Sequence, residues 1–70
     1  MDIATVSRIV QDVILNRRLP CELVDVREDT RTWRVTIRDQ RQGLVSFDVA
    51  KGMIPVHVRE AIQTQLDSLK

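Results

Sequence analysis

Apolar residues recur at intervals of three and four between Ile3 and Ile14, alternate with polar ones in three runs between Cys21 and Ala50, then return at intervals of four and three from Val58. The first spacing predicts a helix from Asp2 to about Asn16, with Ile3, Val6, Ile9, Val10, Val13 and Ile14 on one face. Asp2 suits the N-cap, and Pro20 sets the end near Arg17 or Arg18. Leu15 falls on the wrong face. The period of two then predicts three strands, "CELVDVRE", "TWRVTIRD" and "LVSFDVA". In the first, Val24 and Val26 share the apolar face, and Cys21, Leu23, Asp25 and Arg27 lie on the other. Trp33, Val35 and Ile37 face inward in the second, and Val45, Phe47 and Val49 in the third. Gly43 serves the second hairpin and Gly52 ends the third strand. Pro55 opens a second helix with Val58, Ile62, Leu66 and Leu69 as its stripe.

One apolar face per strand implies a meander covered on one side only. The expected fold is therefore an α+β two-layer sandwich of order α-β-β-β-α, with both helices on the apolar face of a three-stranded antiparallel sheet. Keeping apolar faces inward also sets a register. It places Ile37 opposite Val45, Val35 opposite Phe47, Trp33 opposite Val49 and Arg34 opposite Asp48. A tight turn near Asp29 and Thr30 sets Val26 opposite Trp33, Val24 opposite Val35 and Asp25 beside Arg34. An arginine between Asp25 and Asp48 keeps both ionised, which favours a surface charge ladder over a catalytic carboxylate pair.

The same layout gathers Arg17, Arg18, Arg38 and Arg41 at one pole, with Glu22 and Asp39 as partial offsets. The net charge of +1 is small, so only this local clustering points toward a polyanion such as nucleic acid. The basic residues are nine arginines and two lysines, and the guanidinium fork suits phosphate and carboxylate.

Seventy residues make one domain, 1–70, and a core of this size supplies only about 3–5 kcal/mol. One cysteine and one histidine form neither an internal disulfide nor a metal site, and no cofactor motif is present. The N-terminus lacks the basic and apolar regions of a signal peptide, and no run approaches the ~20 apolar residues of a membrane span. A cytoplasmic protein without membrane contact is the expectation.

Candidate chemistry is sparse. His57 lies in the first turn of the second helix with no carboxylate to orient it, unlike a catalytic base. Cys21 is expected on the outer face opposite Arg38, where a guanidinium favours the thiolate, but with His57 toward the other end of the sheet the expected role is that of a half-buried structural cysteine. Trp33 and Phe47 are both assigned to the core, so the open sheet face has no ring on which single-stranded RNA would stack. The element order is similar to that of double-stranded-RNA-binding domains. Where those carry a lysine cluster at the start of the second helix, this chain has "GMIPVHVREA", and its first hairpin loop, "REDTR", is partly acidic. The similarity is one of topology and transfers no binding residue.

These features predict a non-enzymatic interaction module that binds another protein or itself, with no small-molecule substrate. Its expected surfaces are a strand edge and the outer face around Leu23 and Leu44. The alternative is polyanion binding through Arg17, Arg18, Arg38 and Arg41.

Overall fold

The computed structural model describes residues 2–52 and 54–68. Its elements are α1 (Ile3–Arg17), β1 (Cys21–Glu28), β2 (Thr32–Asp39), β3 (Gly43–Ala50) and α2 (Pro55–Asp67). The α+β order is the expected one, and the strands form one antiparallel sheet in the order β1-β2-β3. Leu69, assigned to the second apolar stripe, lies outside the described residues.

Each boundary has a local cause. The Asp2 carboxylate accepts the Thr5 N–H at 2.9 Å, filling one of the donors a helix start leaves open. That hydrogen bond holds the Asp2 carboxyl below its ordinary pKa. At the other end of α1, Arg18 N–H donates to Leu15 O at 3.2 Å and Leu19 N–H to Ile14 O at 3.1 Å. This is a Schellman closure, and it requires the left-handed conformation that Arg18 adopts at φ 51°. Asp39 organises the second hairpin, its carboxylate accepting the Arg41 N–H at 3.0 Å, and Gly43 follows at φ 78°. Pro55 opens α2 without any side-chain cap.

α1 packs on β1, α2 packs on β3, and the two helices touch each other. Between them and the sheet lies a single core containing Val6, Val10 and Val13 from α1, Val35, Ile37 and Val49 from the sheet, and Val58, Ile62 and Leu66 from α2. Arg59 reaches Asp12 at 3.5 Å and Arg17 reaches Asp67 at 2.6 Å, so residue numbers rise together along both helices. The helices are therefore parallel and end at the same pole, beside the start of β1 and the β2–β3 hairpin. At the far end Lys51 Nζ sits 4.8 Å from the centre of the buried Trp33 ring and 3.6 Å from Glu28.

The β2–β3 register is the expected one, including Arg34 opposite Asp48, which are joined at 3.2 Å. The β1–β2 register is not. Val26 pairs with Val35, Leu23 with Ile37 and Asp25 with Thr36, with an irregularity between Leu23 and Asp25. Val24 is the extra residue of a β-bulge and is 46% exposed. Leu23, expected on the outer face, instead packs half-buried against the core. The cause is spacing: Leu23 and Val26 are both large and apolar but three apart, and a regular strand turns such a pair to opposite faces. One inserted residue lets both face inward. Asp25 consequently bonds its own neighbour Arg27 at 2.9 Å rather than Arg34.

Leu23→Ala should then destabilise the fold by about 1–2 kcal/mol and Val24→Ala by less than about 0.5 kcal/mol, measured by urea unfolding. A larger loss at Val24 than at Leu23 would restore the unbulged register.

Candidate interaction surfaces

The four arginines do reach one pole, but they divide between two grooves. Arg17, Arg18 and Arg41 line a groove of about 410 Å³ floored by Leu66. Arg38 lines a shallower one of about 560 Å³ with Glu22 and Leu44. Leu19, Pro20, Cys21 and Asp39 border both and form the wall between them.

Carboxylates offset much of this charge. One guanidinium nitrogen of Arg17 donates to both oxygens of Asp67, at 2.6 and 2.7 Å. Arg38 donates to Glu22 at 3.3 Å. Asp39, only 6% exposed, sits within the wall. Among the described residues the side chains of Arg18 and Arg41 make no ion pair, and they remain on the rim of the first groove. Asp67 was missed in the sequence. Only the parallel course of α2 carries it to this pole, and that course follows from an odd number of strands between the helices.

Cys21 pairs with Asp39, not with Arg38. Its half-buried thiol is pushed up in pKa, first by burial and then by the nearby Asp39 carboxylate. Its half-burial is the expected one, while Arg38, which would have favoured the thiolate, is not its partner. His57 is exposed in the first turn of α2, as expected, and its backbone N–H donates to Ile54 O at 3.0 Å. Among the described residues, no group of three or more His, Cys, Asp or Glu is placed to hold a metal ion, and no helix is long and apolar enough to cross a membrane.

The outer sheet face carries a ladder of polar contacts. Arg34 meets Asp48, the Thr36 and Ser46 hydroxyls lie 3.0 Å apart, and Arg38 meets Glu22. Leu44 projects from this face at 64% exposure. Because Leu23 points inward, the expected apolar pair of Leu23 and Leu44 does not form. A different apolar strip runs along the α1 and β1 flank, where Ile14, Leu15 and Leu23 line a groove of about 360 Å³. Leu15, the misfit of the helical pattern, is 73% exposed there.

The strand edges differ from each other. β1 is an edge interrupted by the bulge and carrying Glu22, Asp25, Arg27 and Glu28. β3 is an edge of eight residues without a bulge, proline or lysine, and Asp48 is its one charge. The chain matches no family model, no curated protein and no solved structure.

Two measurements probe this pole. Arg18→Gly should raise stability by about 0.5–1 kcal/mol, because glycine adopts the left-handed backbone without a Cβ penalty that outweighs its extra unfolded-state entropy. Iodoacetamide alkylation of Cys21, followed against pH, should show a higher midpoint in the folded chain than in urea. A thiol raised on folding adds stability that is complete below its unfolded pKa and is lost as pH climbs through the folded one, so the fold should weaken above about pH 8.5. Equal midpoints would remove the role of burial and Asp39.

Proposed function

We propose that this protein is a small non-enzymatic interaction module that binds another protein or a second copy of itself. The observation that carries the reading is the bare edge of β3: a regular eight-residue strand with backbone donors and acceptors open on one side. Natural sheets protect such edges with bulges, prolines, lysines or short strands, and β1 carries one of those devices while β3 carries none. Exposed Leu44 and Leu15 add apolar area that association would cover. A core of about 3–5 kcal/mol also gains in proportion from any partner that binds only the folded state. A reducing, cytoplasmic setting suits the single unbridged cysteine.

A second reading rests on Arg18 and Arg41. Two guanidiniums without an ion pair among the described residues, at the rim of one groove, suit a phosphate, and Arg18 holds a left-handed backbone where glycine would cost less. Through them, with Arg17 and Arg38, the pole would bind a polyanion.

Sedimentation at rising protein concentration and two salt concentrations, alongside an amide-shift titration with a short RNA duplex, separates the two. The interaction module predicts a partner-dependent or concentration-dependent mass that salt changes little. Shifts confined to residues 16–18 and 38–43, vanishing as salt rises, would put the polyanion reading first.

A further inference from the structure

We propose that β3 pairs with β3 of a second copy, antiparallel about a two-fold axis through Phe47, to make a continuous six-stranded sheet. The inference rests on the interaction-module reading and names its partner.

The backbone sets which residues are available. Lys51 N–H donates to Arg31 O at 2.9 Å, so this pair lies in hydrogen-bonding register between β2 and β3. Opposed pairs in an antiparallel ladder alternate between bonded and non-bonded. The backbone groups of Val45, Phe47 and Val49 therefore face β2, and those of Leu44, Ser46, Asp48 and Ala50 face the open edge. They form an unbroken row at every second residue. On β1 the analogous row is out of step, because the bulge at Val24 separates Leu23 and Val26 by three. Only β3 offers a full ladder.

The row is also self-complementary. With the axis at Phe47, Leu44 faces Ala50 of the other copy and Ser46 faces Asp48, giving four bonded pairs and about eight inter-chain hydrogen bonds. Apolar residues meet apolar ones, and no like charges are opposed, since Asp48 faces a serine and is already held by Arg34. On the inner face Val45 meets Val49, and Phe47 meets its own copy as a non-bonded pair, where side chains approach most closely. Phe47 and Val45 are the half-buried members of the β3 inner face, so the pairing completes cover that α2 leaves partial. A shift of the axis to Ser46 leaves only three bonded pairs and sets Leu44 against Asp48.

The test uses the intact chain. Sedimentation should show a mass moving from 8.1 kDa toward twice that value with concentration. The dimer should give a nuclear Overhauser contact between the Hα atoms of Val45 and Val49, which lie about 13 Å apart along a single strand. Ser46→Pro removes an edge-facing N–H that no intramolecular ladder uses, so it should keep the circular-dichroism spectrum and abolish the dimer. A chain that stays monomeric at millimolar concentration overturns the self-pairing, while the interaction-module reading survives if another partner is captured. A dimer that lacks the Val45–Val49 contact overturns the β3 pairing and leaves self-association standing. If Ser46→Pro does not fold, the contact in the unmodified chain decides.

Discussion

Two apolar side chains set three apart in one strand shape much of this molecule. Leu23 and Val26 both have to face the helices, and a regular strand turns only one of them that way. The inserted Val24 resolves the conflict, and the consequences spread outward. Cys21 moves opposite Asp39, Asp25 loses Arg34 and takes Arg27, and the β1 edge becomes irregular. The bulge is thus a cost of filling the core, and it leaves the two edges of the sheet chemically unlike.

The second constraint is topological. Three strands between two helices return α2 in the direction of α1, so both helices finish where the β2–β3 hairpin turns. Charges far apart in sequence meet there as a result. Arg17 and Asp67 join helix to helix, and Arg59 and Asp12 repeat the arrangement further along. With side chains about two-fifths exposed, pairs of this kind each contribute roughly 0.2–1 kcal/mol. Their larger effect is to orient the pole, fixing which guanidiniums are engaged and which stand on a rim.

The element order, the inward residues of β2 and β3, and the register between them were legible because alternation in those strands is unbroken from Thr32 to Ala50. Helix limits were equally plain from Asp2 and Pro20. β1 was misread in the same terms: Val24 and Val26 look like an alternating pair, while Cys21 and Leu23 look like the opposite face. Both sets satisfy the pattern locally, and only their joint demand on the core decides between them. The arginine pole was foreseen as a cluster. Its division into two grooves was not, because Asp67 reaches it from the distant end of the chain and Asp39 is buried in the wall between.

The parallel course of the helices has an electrical consequence as well. Each helix carries roughly half a negative charge at its C-terminal end. Here both ends lie at one pole, so the backbone alone places nearly a full negative charge beside Arg17 and Arg18. Part of the guanidinium charge there answers the molecule's own peptide dipoles before any outside ion is met. A single copy therefore carries two aligned macrodipoles. In a pair related by a two-fold axis normal to the sheet, those of one copy would oppose those of the other, and their fields would largely cancel at a distance.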